Sequence, residues 1–179
     1  GGVHEDLRHR AAEWVSDRPF FGHAVGGTLG GTKEQMYAVV DWAITPLRRD
    51  RPVHLLGIGG VDDLWEGVER GVDTFDCVGP TRIARHGWAL TRSMPNWRRN
   101  LKNARFKEDP RPLDEDCDCP TCQRIPRALI HHLFKAHEIQ AQHHVTVHNI
   151  HFMTRLMRTI RRALAEDRFA ETKREWLDR

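Results

Sequence analysis

Apolar residues recur along this chain at two spacings, and the alternation between them predicts its elements. In VHEDLRHRAAEWV (residues 3–15), Leu7, Ala11 and Trp14 or Val15 share a helical spacing, and Pro19-Phe20-Phe21-Gly22 ends that first helix. His23-Ala24-Val25 is a short apolar piece stopped by Gly26-Gly27, which predicts a strand. A second helix is predicted from Lys33 to Leu47, with Met36, Val39, Val40, Ala43 and Leu47 inward. Asp50-Arg51-Pro52 is a turn, and Val53 to Leu56 predicts a second strand halted by Gly57-Ile58-Gly59-Gly60. A third helix, Asp62 to Arg70, leads to a third strand with Val72 and Phe75 as its apolar positions, ending at Asp76 and Cys77. Val78-Gly79-Pro80 then breaks the pattern and predicts a loop that carries Arg82 and Arg85.

Strands separated by helices of this length predict parallel pairing with right-handed crossovers. An open doubly wound sheet and a (β/α)8 barrel both satisfy that pattern, and in both the carboxyl ends of the strands build the site. All three predicted strands finish in a glycine or an acid. Two glycine-rich stretches resemble nucleotide motifs without being them. GIGGVD lacks the third glycine of the dinucleotide fingerprint, and in GGTLGGTK the lysine follows the threonine, against the P-loop order. Both read as backbone that a flat ligand can approach closely.

The second half is less regular. Trp88 to Thr91 reads as the return strand of a hairpin turned at His86-Gly87. Residues 92–116 are polar, carry Pro95, Pro110 and Pro112, and show no core pattern. A helix is predicted from Ile125 to Ala141 and a short strand from His144 to Val147. From Asn149 to Ala165 an amphipathic helix turns Ile150, Met153, Met157, Ile160 and Leu164 to one side, and the tail reads as polar helix or frayed end.

Charge and cysteine usage sharpen this picture. The net charge is only +3, yet residues 1–90 hold ten Lys/Arg against thirteen Asp/Glu, and residues 91–179 hold eighteen against twelve. A basic second half is the electrostatic footprint of a nucleic-acid partner, and equally that of solvated helix faces. With 30% charged residues and no run of 18 apolar ones, no helical membrane span is predicted. The opening residues show no signal-peptide pattern and no initial Met, so the chain reads as a processed or truncated piece.

Three of the four cysteines, Cys117, Cys119 and Cys122, lie within six residues. Disulfides between such near neighbours are geometrically poor, whereas three thiolates in one loop suit zinc in a reducing compartment. A fourth ligand is needed. His148, 26 residues past Cys122, is the leading candidate, with His131, His132, His143, His144 and His151 competing. Cys77, apart from this cluster, reads as a small buried hydrophobe. A strand-end Asp76 followed by Arg82 and Arg85 fits either a surface carboxylate or acid/base or covalent chemistry on an anionic substrate.

The string DTFDCVGPTRIAR resembles the FDCV-x-PTR-x-x-R signature of the tRNA-guanine transglycosylases, the queuine tRNA-ribosyltransferase family. The similarity runs from GGVHEDLR through HAVGG, HLLGIG, KNARF and CDCPTC to the HN at His148-Asn149. It implies the C-terminal part of a (β/α)8 TIM barrel with an inserted zinc-binding subdomain. Residues 1–91 would supply the last βα units, 92–148 the zinc-binding insertion and 149–179 the closing helix and tail. It also implies a cytoplasmic enzyme, a homodimer, that exchanges guanine at the tRNA wobble position for a 7-deazaguanine base. Asp76 would be the nucleophile, Gly26, Gly27, Leu56 and Gly57 would bind the base, Arg82 and Arg85 would hold the RNA, and Cys117, Cys119, Cys122 and His148 would bind a structural Zn2+. The family's general-base aspartate, a base-reading aspartate and a base-binding glutamine lie upstream of the part resembled, the glutamine immediately before Gly1. Three stretches depart from the family pattern: TLGGTK is shorter and lacks a glutamate, His86 replaces an asparagine, and SMPNWRRN is unusual. The alternative, a non-catalytic tRNA-binding subunit of the same fold, is opposed by the retained Asp76.

Overall fold

Three short strands, β1 (His23–Val25), β2 (Val53–Leu56) and β3 (Thr74–Asp76), pair in parallel in the order β1-β2-β3. The computed structural model describes residues 1–178, in two units: Gly1–Cys77, which holds this sheet, and a second that starts at Val78. Helices α1 (Glu5–Ser16), α2 (Lys33–Ile44) and α3 (Val61–Glu69) precede and connect the strands. Val25 of β1 and Val53 and Leu55 of β2 are buried in one core with Val39, Val40, Ala43 and Ile44 of α2 and Ala12 of α1. Burying each such aliphatic side chain is worth about 1.5–3 kcal/mol. The residues between them, Ala24, His54 and Leu56, with Thr74 and Asp76 of β3, form the other phase of the pleat and are exposed or half-buried. Within the first unit the core gathers on one face of the sheet.

The first helix departs from its predicted face. Arg8, Ala12 and Ser16 are the buried stripe, while Leu7 and Trp14 are exposed. Polar bonds decide this rotation. Arg8 turns inward to donate to three backbone carbonyls, and Ser16 Oγ accepts the Arg48 N–H at 3.0 Å.

In the second unit, the segment after Val78 is helix α4 (Gly79–Arg85), not a loop. Pro80 stands in its first turn, where a missing N–H costs nothing, so the Gly-Pro pair starts a helix here instead of ending structure. Strand β4 (Trp88–Leu90) pairs antiparallel with the downstream β5 (Arg98–Asn100), not with an upstream strand. The unusual SMPNW segment makes their connection, with Asn96 and Trp97 both at positive φ. Residues 92–116 do contribute to the core: Leu101, Phe106 and Leu113 are buried at irregular spacings that no periodicity reveals.

Helix α5 (Pro120–Arg124) is followed by α6 (Arg127–Lys135), α7 (Ile139–Ala165) and α8 (Phe169–Leu177). The expected strand at 144–147 lies inside α7. Helical winding there places Val145, His148, Asn149 and Phe152 on one buried side, and that packing outweighs the β preference of Val-Thr-Val. The buried stripe continues through Leu156, Ile160 and Ala163, so Ile150 and Leu164, expected inside, are about half exposed. The tail is ordered as α8, because Trp176 is buried against Trp97 (ring centroids 5.5 Å apart) and Phe152 (6.3 Å). Among the described residues, no helix is long and apolar enough to cross a membrane.

Candidate active site and metal centre

The carboxyl edge of the parallel sheet brings together the residues singled out in the first unit. Leu56 and Asp76 are register partners, and β1 ends beside them at Val25, one residue before Gly26. Asp76 has an exposed carboxylate, with Oδ1 3.4 Å from the Gly57 N–H and 3.2 Å from His54 Nε2. Leu56 exposes an aliphatic surface on the same edge. A side chain at Gly26 would strike Leu56 Cδ1 at 2.8 Å, so glycine is what lets the β1 and β2 termini close up. Gly27 and Gly57 both have positive φ, and each turns the chain sharply away from its strand end.

Arg8 organises this edge from behind. Its Nε donates to the Gly2 carbonyl (2.8 Å), Nη1 to Gly26 (3.0 Å) and Nη2 to Thr28 (2.8 Å). Two of these donors fix the loop after β1, and the third ties the same rigid guanidinium to Gly2 ahead of α1. The shortened TLGGT segment is anchored by buried Leu29 and by Thr32, whose Oγ1 caps α2 by accepting the Gln35 N–H at 3.2 Å. Lys33 ion-pairs with Asp62 and, at 2.9 Å, with Asp63, tying the start of α2 to the start of α3. Tyr37 donates to the same Asp63 at 2.9 Å, and burial followed by that bond raises its phenol well above the usual range. Cys77 packs close to Gly59, where an added Cβ would meet its own Cβ at 2.5 Å.

Arg8 and His54 were not singled out from the sequence. His54 had a signal: a polar residue in an apolar strand, two positions before Leu56 and so on the same face.

In the second unit, Cys117, Cys119, Cys122 and His148 converge, with all ligand atoms within 4.8 Å of one another. His148 Nδ1 lies 3.5, 3.6 and 3.3 Å from the three sulfurs. A tetrahedral zinc with ordinary Zn–S and Zn–N bonds sets those separations at about 3.5 Å. The donor set therefore fits a closed, structural zinc site. The other ring nitrogen, Nε2, donates to the Leu90 carbonyl at 2.7 Å, which leaves Nδ1 to face the metal. Without metal, the bond between Cys117 and Cys122 lowers the first thiol and raises the second, with burial acting upward on both. Burial opposes protonation of His148, but its bonds with Cys117, Cys119 and Leu90 outweigh it and raise the imidazole to about 9.

The competing histidines bond other groups or turn outward, with His151 and its partner Asp118 lying near Cys117. His131 bonds the Leu101 carbonyl at 2.9 Å, His151 binds Asp118 at 2.8 Å, His143 and His144 pack edge to face, and His132 is exposed. No disulfide joins any of the four cysteines. Arg82 and Arg85 stand one turn apart on the exposed side of α4.

A family profile described as Queuine tRNA-ribosyltransferase matches residues 1–179, the whole chain. The chain belongs to that family. A queuine tRNA-ribosyltransferase of Roseiflexus sp. (strain RS-1) is 51% identical over 178 residues, covering 99% of this chain and 44% of the relative. One from Thermoanaerobacter pseudethanolicus is 46% identical over 177 residues, covering 98% and 46%, and one from Staphylococcus aureus is 45% identical over 179 residues, covering 99% and 46%. The chain thus spans about half the length of the curated relatives it matches. Membership in the queuine tRNA-ribosyltransferase family accords with the FDCV-x-PTR signature around Asp76 and with the Cys3His metal centre.

Proposed function

We propose that this chain is the C-terminal half of a tRNA-guanine transglycosylase, which exchanges guanine at the wobble position of tRNA for a 7-deazaguanine, either 7-aminomethyl-7-deazaguanine or queuine, in queuosine biosynthesis. The observation that carries this reading is Asp76. It is an exposed carboxylate at the carboxyl edge of a parallel sheet, beside Gly57 and in register with Leu56, within the family signature. In the proposed reaction one carboxylate oxygen attacks C1′ of the ribose, the C1′–N9 bond breaks, and guanine leaves with the electron pair and takes up a proton. The deazaguanine then attacks C1′ through its own ring nitrogen, loses its proton and displaces the carboxylate. Two inversions give net retention, with no change of oxidation state. The target nucleotide is flipped out of the anticodon stack to expose C1′.

Gly26, Gly27 and Gly57 offer backbone at close range to a flat base, and the exposed Leu56 offers a surface to stack on. Arg82 and Arg85 hold the RNA backbone. The zinc, when bound, supplies no chemistry at C1′; the residues that hold it, Cys117, Cys119, Cys122 and His148, pin the loop around residue 120 to α7.

The barrel reading is supported by the one-sided core. Within the first unit the helices pack on one face of β1-β2-β3, as they do on a barrel wall. In this reading residues 1–91 supply barrel units, 92–148 the zinc-binding insertion and 149–179 the closing helix and tail, with α7 running unbroken from the insertion into the closing helix. The protein works in the cytoplasm as a homodimer, a setting in which thiol ligands stay reduced.

The deciding test is a denaturing gel of the full-length protein reacted with tRNA and a tight guanine analogue. Wild type forms a covalent protein–RNA band; Asp76→Asn, which keeps the shape and removes the charge, forms none. An equal band from the variant would assign the nucleophile elsewhere.

A further inference from the structure

The nucleophile has a neighbour that the family signature does not contain. Parallel register sets His54 of β2 opposite Thr74 of β3, and Leu56 opposite Asp76. Strand alternation puts all four on the open face of the sheet. His54 therefore sits beside both polar residues of β3. Its Nδ1 is 2.8 Å from Thr74 Oγ1, and its Nε2 is 3.2 Å from Asp76 Oδ1. We propose that His54 is a positioning residue for the reaction, aiming the Asp76 carboxylate at the ribose while Thr74 sets the tautomer of the imidazole. This rests on the reading of Asp76 as the nucleophile.

The chemistry assigns the protons. An ionised carboxylate only accepts, so Nε2 carries the hydrogen that it donates to Oδ1. With one proton on the ring, Nδ1 is an acceptor, and the Thr74 hydroxyl supplies the matching donor. The chain of bonds runs Thr74 Oγ1–H to Nδ1, then Nε2–H to Asp76 Oδ1. The Gly57 N–H approaches the same oxygen at 3.4 Å. Both donors thus converge on Oδ1 and fix the plane of a side chain that is otherwise 60% exposed and free to rotate. Oδ2 is left as the oxygen presented to C1′.

Holding an attacking atom in line matters because misplacement by about 1 Å costs on the order of 100-fold in rate. The same donors serve the second displacement. When the incoming base frees Asp76 from C1′, negative charge returns to the carboxylate, and Nε2–H and the Gly57 N–H are already aimed at it.

The experiment uses the full-length protein with substitutions at three positions. His54→Phe removes the donor; the native side chain is about a third exposed, so the change opens no cavity. Turnover is expected to fall roughly 10- to 100-fold, with KM for tRNA and for the base changed less than about twofold and an unaltered melting temperature. His54→Gln, whose amide can still donate to Oδ1, recovers a large part of the loss. Thr74→Val, which does not touch Asp76, lowers turnover in the same direction because the tautomer is no longer fixed, and it gives the same reading should His54→Phe perturb folding.

A raised KM at unchanged turnover in His54→Phe would make His54 a binding residue and overturn the proposal. So would wild-type turnover in both His54→Phe and Thr74→Val while Asp76→Asn remains inactive, and in that case the nucleophile would stand. Base exchange by Asp76→Asn would instead overturn the reading of Asp76 as the nucleophile, on which the proposal rests.

Discussion

Leu90 and His148 are joined at the backbone of one and the ring of the other: Nε2–H of His148 donates to the Leu90 carbonyl at 2.7 Å. That bond fixes the ring so that Nδ1 meets three sulfurs, and it couples strand β4 to the metal centre. Removing the metal should therefore loosen more than the loop that binds it. We expect one zinc per chain by elemental analysis, and Cys117→Ala, Cys119→Ala, Cys122→Ala and His148→Ala should each retain under a tenth of it. Chelation should lower the melting temperature by at least about 10 °C. His144→Ala, chosen from the competing histidines, should keep its metal. Metal-free protein of unchanged stability would refute the assignment.

The residue after His148 grips the same strand. Asn149 is fully buried; its Oδ1 accepts the Leu90 N–H at 2.8 Å, and its Nδ2 donates to the carbonyls of Pro80 (2.9 Å) and Trp88 (3.0 Å). One amide therefore bonds three backbone groups, on α4 and β4. Asn149→Ala should cost about 2–4 kcal/mol in urea denaturation. Asn149→Asp should be comparably damaging, since a carboxylate cannot donate to the two carbonyls. Metal content of the Ala variant should stay at one per chain, which separates this role from that of His148.

Arg127 is almost wholly buried and is held by Asp109 at 3.1 Å and Glu115 at 3.2 Å. Hydrogen bonds from Arg111, then burial working the other way, then Arg127 leave the Asp109 carboxyl far below its usual range. A depressed folded pKa contributes stability that is present above the unfolded carboxylate range, near pH 4, and is lost as pH falls below it. Asp109→Asn should cost roughly 3 kcal/mol at neutral pH, because it strips a buried guanidinium of one partner. Measured against pH, the gap between wild type and variant should hold constant from about pH 5 to 8 and close below about pH 4. A gap independent of pH would mean that the charge of Asp109 contributes nothing.

Arg82 and Arg85 share the exposed side of α4, so replacing them should leave stability within about 0.5 kcal/mol. In the full-length protein, each change to Ala should weaken tRNA binding and reduce the slope of log affinity against log salt by about one. Unchanged affinity across a salt series would return both arginines to a solvated helix face.

The sequence by itself determined the order of strands and helices in the first unit. From His23 to Asp76 the elements follow from short apolar runs ended by glycine or acid, because each buries one side of a regular repeat; α2 stops at Ile44, ahead of Pro46 and short of Leu47, and β3 is Thr74–Asp76, past Val72. The sequence determined the three thiolate ligands too, since three thiolates in six residues have few other uses; which histidine completes the set is decided by α7, which brings His148 to the cysteines. Tertiary structure decided what periodicity cannot express. Arg8 is turned inward by three carbonyls contributed from other segments, so α1 buries a stripe one residue away from its apolar one. Leu101, Phe106 and Leu113 are core residues without a repeat, positioned by the hairpin and the helices that cover them. The Val-Thr-Val of α7 is helical because Val145, His148 and Asn149 must face β4 and the cysteines together. His54 becomes the neighbour of Asp76 only when β2 and β3 pair in register, a relationship between residues 22 positions apart that no local pattern contains.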